Sequence, residues 1–345
     1  MSLSKSEEEI LKSIKIRSDN DPNRPEFPPD KPKYPTTPTY QIKVPGFKNV
    51  WLKDESVNPT GTHKDRMAWE IIVQYRKFLE AKKMGHVNGP LPRFSIISSG
   101  NAAVALAEMF KKFNLPKVKV LVDIHMPDKI LNYLKNNYCE VYQTNLSRKP
   151  FSTEEVLAMT NNENGFDITS NEALDPNTIF YDWMSYDIIN KEADYVFVPF
   201  GTGSLFENIC TIMRREILKV KVHDPRLEAD TNKFRTMNIL GATVNLSTSN
   251  AYMLYSQHLP FVHYNEQWIR FYKKFGFVGK DSGVYVVSEG SLEEAYDLAI
   301  SQGVNCEHSG IAGLALLLDR KNEIPNSKKI VIVNTGKGRW LNEII

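Results

Sequence analysis

From about residue 39 to the C-terminus, short runs rich in Val and Ile alternate with stretches of helical periodicity. This alternation constrains the fold more than any other feature of the chain. Strands are expected at 94–98, 118–123, 140–144, 195–199, 237–241, 284–287 and 330–334. Helices are expected at 67–83, 102–113, 128–136, 153–162, 180–190, 205–218, 266–275, 291–302 and 310–318. A strand that is apolar on both faces must be covered on both faces, and helices between successive strands provide the cover. The expected class is therefore α/β with mainly parallel sheets. A chain of 345 residues is long enough for two such domains.

The N-terminal segment departs from this pattern. Residues 4–17 suit a short amphipathic helix with Ile10, Leu11 and Ile14 on one side. Seven prolines between Pro22 and Pro38 then exclude helix and central strand, so an extended arm is expected. The stretch 220–235 is charged and aperiodic and is expected to be a surface loop.

Charge is balanced, 43 Lys and Arg against 41 Asp and Glu, which argues against a nucleic-acid or membrane-surface partner. No apolar run is long enough to span a bilayer, and the first residues lack the apolar core of a signal peptide. Three widely spaced cysteines (Cys139, Cys210, Cys306) suit a reducing compartment, so the expected location is the cytoplasm. His258 and His263 lie five apart with no cysteine or carboxylate pattern around them, and no metal site is expected.

Chemistry-bearing residues gather at four turns. In Asn58-Pro59-Thr60-Gly61-Thr62-His63-Lys64-Asp65-Arg66, a lysine follows a Pro/Gly turn at the start of a helical pattern. There it faces the positive end of the helix dipole, a poor place for a structural cation and a suitable one for an amine that attacks a carbonyl. A solvated lysine between charged neighbours meets the same spacing. In Ser98-Ser99-Gly100-Asn101, a strand runs into a polar turn that opens a helix, which suits a carboxylate as well as an ordinary helix cap. In Gly201-Thr202-Gly203-Ser204, two glycines and two hydroxyls precede a helix. The third glycine of a dinucleotide fingerprint and the Gly-Lys-Thr/Ser of a Walker loop are both missing, so a single phosphate group fits best. Thr335, in Asn334-Thr335-Gly336-Lys337-Gly338, stands at the carboxyl end of the last strand, where α/β folds gather ligand contacts.

These four motifs, in this order, resemble the fold-type II pyridoxal-phosphate enzymes (tryptophan synthase β-like), and most closely the threonine synthases. Glu307-His308-Ser309-Gly310-Ile311-Ala312-Gly313 is similar to the family's Glu-Pro-Ser helix start, with His308 in place of proline. The resemblance covers about residues 36–341. It implies an N-terminal extension (1–38), a discontinuous cofactor domain (39–84 and 171–345) and a smaller substrate-side domain (85–170). It also implies a homodimer.

The resemblance implies pyridoxal 5'-phosphate as cofactor and an amino acid as substrate. Lys64 would hold the cofactor as a Schiff base and carry the α-proton. Gly201, Thr202, Gly203 and Ser204 would bind its phosphate, and Asn101 its ring hydroxyl. Ser98, Ser99 and Gly100 would receive the substrate carboxylate, with Asn145 and Arg148 as further substrate contacts. Thr335 would meet the pyridine nitrogen. A neutral hydroxyl there favours elimination and replacement over transamination.

Three readings of activity stand side by side. One is a threonine synthase-like lyase, releasing phosphate from O-phosphohomoserine and adding water. The second is a β-eliminase or β-replacement enzyme of the serine/threonine dehydratase or cysteine synthase kind. The third is a cofactor-binding protein whose catalytic pocket has drifted. The first needs a substrate-phosphate pocket, for which Arg66, Arg148 and Lys149 are candidates. The family's Gly-Asn-Phe-Asp-Asp-Ala stretch is replaced by Thr144-Asn145-Leu146-Ser147-Arg148, which keeps only the asparagine. Its Ser-x-Asn-Pro stretch is replaced by residues 171–178.

Overall fold

The computed structural model describes residues 34–98, 100–149, 151–169, 180–223, 236–255 and 266–344. The expected helix at 4–17, most of the Pro-rich arm and residues 224–235 of the expected surface loop lie outside the described residues, whereas residues 220–223 of that loop are helical. In chain order the strands are β1 (Thr39–Val44), β2 (Phe47–Asp54), β3 (Phe94–Ile97), β4 (Val118–Asp123), β5 (Cys139–Thr144), β6 (Phe166–Asp167), β7 (Tyr195–Pro199), β8 (Asn238–Thr243), β9 (Gly283–Val286) and β10 (Lys329–Asn334). The helices are α1 (Lys64–Lys83), α2 (Asn101–Lys112), α3 (Asp128–Asn136), α4 (Thr153–Met159), α5 (Asp182–Ile189), α6 (Ser204–His223), α7 (Glu266–Lys274), α8 (Glu289–Ser301), α9 (His308–Asp319) and α10 (Leu341–Ile344). The chain divides into two α/β units. The larger comprises 36–63 and 181–337, and the smaller comprises 64–180 and 338–344 with Tyr34 and Pro35. The division falls between His63 and Lys64, inside the stretch 39–84 that the sequence assigns to one domain.

In the larger unit six strands run in the order β1-β2-β10-β7-β8-β9. Only the β1–β2 pair is antiparallel; the other four pairings are parallel. Val196, Val198, Ile239, Ile330 and Ile332 are fully covered, as parallel strands between helix layers require. Helix α9 is buried round its whole circumference from Ser309 to Leu318, packed against α8 and against β7, β8 and β10. An all-apolar helix of this kind belongs at the centre of a fold.

The smaller unit has a wholly parallel sheet in the order β5-β4-β3-β6. Its core joins α1 and α2 to the sheet through Tyr75, Phe94 and Phe110, with ring centroids 5.7 to 6.3 Å apart. Helix α4 begins with a capping box, in which Ser152 and Glu155 exchange hydrogen bonds between side chain and backbone.

Three strands escape the sequence reading. β1 is a half-exposed edge strand, and β6 has only two residues. β2 ends in Lys53 and Asp54, whose charges hide a strand buried along its second half. Lys53 is fully covered. Its Nζ donates to the Thr37 carbonyl at 2.9 Å and to Asp187 at 2.8 Å, and lies 3.9 Å from Glu55, which is also fully covered. Lys53→Met keeps the stem and removes the buried cation that Glu55 and Asp187 face. A destabilisation of about 3–5 kcal/mol is expected, read from the shift of the urea unfolding midpoint.

Candidate active site

In the larger unit the carboxyl ends of β2 and β10 are tied side by side. Asp54 accepts hydrogen bonds from the Ser56 amide, Asn334 Nδ2 and the Tyr40 hydroxyl, each at 3.0 Å. Burial first, and the Asp54 charge second, raise the Tyr40 phenol well above its usual range, so it remains a donor. Asn334 also donates to the Asn305 carbonyl, and its oxygen accepts from the Gly336 amide at 3.0 Å. Beyond Asp54 the chain folds back on itself, with Asn58 Nδ2 donating to Glu55 Oε2 at 2.8 Å and the Gly61 amide to the Asn58 carbonyl at 2.9 Å.

The two turns then lace together. The Lys337 amide donates to the Gly61 carbonyl and the His63 amide to the Thr335 carbonyl, both at 3.0 Å, and Thr62 bridges Gly336. Gly336 has φ +95°, and a Cβ there would meet the Gly61 carbonyl oxygen at 2.0 Å, so only glycine fits. The Thr335 amide donates to the Gly310 carbonyl at 3.0 Å, which brings the start of α9 against the same turn. Lys64 is the residue after His63.

The phosphate-type loop follows β7. Gly203 has φ +89°, Thr202 Oγ1 and Ser204 Oγ lie 3.0 Å apart, and Ser204 opens the 20-residue helix α6. Two hydroxyls and the first amides of a long helix make a donor set for a dianion. Thr335 is only 9% exposed, and its hydroxyl makes no hydrogen bond among the described residues.

In the smaller unit Lys64 is the first residue of α1, three residues earlier than the sequence pattern suggests, and it is half-buried. Asp65 and Arg66 are buried, 2% and 1% exposed, so the picture of a lysine among solvated charges is corrected. The Arg66 guanidinium lies 4.8 Å from the Tyr34 ring centroid. Ser98, at the carboxyl end of β3, uses Oγ to accept the Gly100 and Ala103 amides at 3.3 and 3.2 Å. Asn101 then begins α2. Ser99 lies outside the described residues, as do residues 171–178.

Asn145 and Arg148 are exposed. Asn145 Oδ1 accepts the Ser147 amide at 2.9 Å and the Ser147 hydroxyl at 2.5 Å, closing its own turn. Asp123 holds that loop through the Leu146 amide at 2.9 Å. Asp123 and Thr169 also stand at the carboxyl edge of this sheet, and sequence reasoning passed over both. So were Asp54, Asn334 and Trp340 passed over; only Asn334, next to the Thr-Gly turn, carried a signal that could have found it.

Residues 33–336 match the family model described as pyridoxal-phosphate dependent enzyme. The chain belongs to that family. Cysteine synthase B of Campylobacter jejuni is 24% identical over 190 residues, a match spanning 54% of this chain and 61% of that protein. Among solved structures, cysteine synthase from Entamoeba histolytica is similar with TM-score 0.61 at 20% identity, covering 88% of this chain and 86% of that one. O-acetylserine dependent cystathionine beta-synthase from Helicobacter pylori gives TM-score 0.60 at 15% identity, covering 89% and 94%. These structures share the α/β fold of fold-type II enzymes. The named relatives are cysteine synthase-like, so the particular closeness to threonine synthase read from the motifs is not what these comparisons support.

The family's cofactor, pyridoxal 5'-phosphate, suits the residues present: a hydroxyl-lined helix N-terminus for its phosphate, and the unpartnered Thr335 hydroxyl at a strand end for its ring. Among the described residues no group of three His, Cys, Asp or Glu could hold a metal ion, and no helix is long and apolar enough to cross a membrane.

The three cysteines are buried and free of disulfides. Burial is the main force pushing the Cys139 and Cys306 thiols up to about 12, with Asp54 adding to the rise at Cys306, and Cys210 well above 9. Thiols in that range are protonated at neutral pH and make poor nucleophiles. Titration of the folded protein with an aromatic disulfide reagent at pH 8 is expected to modify none of them within minutes, and all three once the chain is unfolded in guanidinium.

Proposed function

We propose that this protein is a pyridoxal-phosphate enzyme that eliminates or replaces the β-substituent of an O-activated serine, such as an O-acyl or O-phospho ester. The observation that carries the reading is the neutral, unpartnered hydroxyl of Thr335 at the carboxyl end of β10. The carboxylate nearest along that edge, Asp54, is engaged by Tyr40, Ser56 and Asn334. The cysteine synthase-like relatives support the same substrate class.

Bound pyridoxal phosphate supplies the electron sink that stabilises a substrate carbanion. The chain's own residues do the rest. Lys64 Nζ would hold the cofactor's aldehyde carbon and, when free of it, would carry the substrate's α-proton. Gly201, Thr202, Gly203 and Ser204 grip the phosphate through backbone amides and hydroxyls. Ser98, Ser99 and Gly100 receive the substrate carboxylate at the turn that opens α2, and Asn101 donates to the ring oxygen. Thr335 would hydrogen-bond the ring nitrogen without forcing a proton onto it, a neutral contact that favours loss of the β-group over transamination. A homodimer working in the cytoplasm completes the proposal.

The second reading, threonine synthase-like γ-elimination, needs cations for a substrate phosphate. Arg66 is buried beside Tyr34, and Asn145 spends its acceptor on its own turn, so the first reading has the better support. Arg148 remains as a candidate contact for either substrate.

The test is a screen of O-acetylserine, O-phosphoserine, serine, threonine and O-phosphohomoserine, with and without sulfide. Turnover of an O-activated serine is expected and should fall at least 10³-fold in Lys64→Ala, since general acid–base roles alone contribute 10²- to 10⁴-fold. Phosphate release from O-phosphohomoserine alone would favour the second reading. No turnover above the Lys64→Ala control would favour the drifted-protein reading. Thr335→Asp is expected to raise transamination relative to elimination, measured as pyridoxamine phosphate formed per substrate consumed.

A further inference from the structure

Within the smaller unit Gly338 and Trp340 lie against Gly100 and Asn101. Trp340 is 2% exposed and tilted against the Tyr133 ring, centroids 5.4 Å apart. Its indole Nε1 donates to Asn101 Oδ1 at 2.7 Å. Two glycines make room for this contact. A Cβ on Gly100 would come within 2.7 Å of the Trp340 ring, and one on Gly338 would meet both Asn101 Oδ1 and Trp340 Nε1 at 2.4 Å.

An asparagine amide has an acceptor end and a donor end and can present either. An indole nitrogen only donates, so the end it binds must be the oxygen. We propose that Trp340 is a positioning residue: its indole N–H holds Asn101 by the oxygen and turns the amide NH₂ toward the cofactor's ring oxygen. This rests on the role given to Asn101 under the proposed function. Packed against Tyr133 and Gly100, the indole has little freedom to release the amide. A ring oxygen in its phenolate form would then meet a donor in a fixed orientation, without first having to turn the side chain.

The test uses the full chain, stripped of cofactor and titrated with pyridoxal phosphate. Trp340→Phe keeps the ring and loses the N–H. Its affinity for the cofactor is expected to fall about three- to tenfold, the range of one net hydrogen bond. The pH midpoint of the bound cofactor's visible band should also rise, because a donor to the phenolate favours the deprotonated chromophore. Asn101→Ala should show both changes, and adding Trp340→Phe to it should change neither affinity nor midpoint further. Gly338→Ala, which keeps the tryptophan and pries the pair apart, should shift both readouts in the same direction, and it carries the test if Trp340→Phe fails to fold.

A merely structural role would lower the melting temperature while leaving affinity and midpoint at wild-type values, or make the Trp340 and Asn101 effects additive. Either result overturns the proposal. A wild-type protein that takes up no cofactor overturns the functional reading, and this inference with it. Wild-type uptake with unaltered variants overturns this inference alone.

Discussion

The hydrogen bond from Asn334 Nδ2 to Asp54 Oδ1 joins the carboxyl ends of two neighbouring parallel strands, and the turns that follow them in the larger unit depend on it. Asp54 receives three donors and Asn334 both gives and accepts, so neither side chain wastes polar capacity in a buried place. Satisfied networks of this kind are rigid, because any rotation leaves a buried group without a partner. The turn after β2 and the turn after β10 are thereby held in register. The backbone bonds of Gly61 and His63 to residues 335–337 follow from that register.

This arrangement gives Thr335 its chemistry. Its main chain is fully used, the amide by Gly310 and the carbonyl by His63, so its hydroxyl is the group it has left to offer a ligand. Asp54, at the end of the neighbouring strand β2, is turned inward to brace the turns. In the proposed function this neutral hydroxyl of Thr335 would be the partner of the cofactor's ring nitrogen. Lys64 follows His63 in the chain.

Much of the fold was legible because its strands are apolar on both faces. β4, β7 and α3 have the bounds that the pattern suggests, and other paired elements differ by only a few residues at their ends. The misses share one physical cause. β2 buries Lys53, Asp54 and, just beyond, Glu55, and a reading based on apolar periodicity has no means of knowing that buried charges will find partners. The same blindness left Arg66 a candidate contact for a substrate phosphate, although it is 1% exposed and lies against Tyr34. In the site, the four turns could be named from glycines and hydroxyls. Asn145 could not be judged, since an asparagine that closes its own turn looks the same in sequence as one that faces a ligand.

By itself the sequence determined the α/β class, the family's cofactor and the order of the four motifs. Local patterning and turn chemistry act over a few residues, and those features need no more. Only the tertiary structure decided which polar groups work for the fold and which are left for a ligand. Asp54 is enclosed by partners from three separate stretches of chain, while Trp340 reaches Asn101 across 239 positions. Contacts of that span depend on how the sheets bring distant turns together, and no short window of sequence records them.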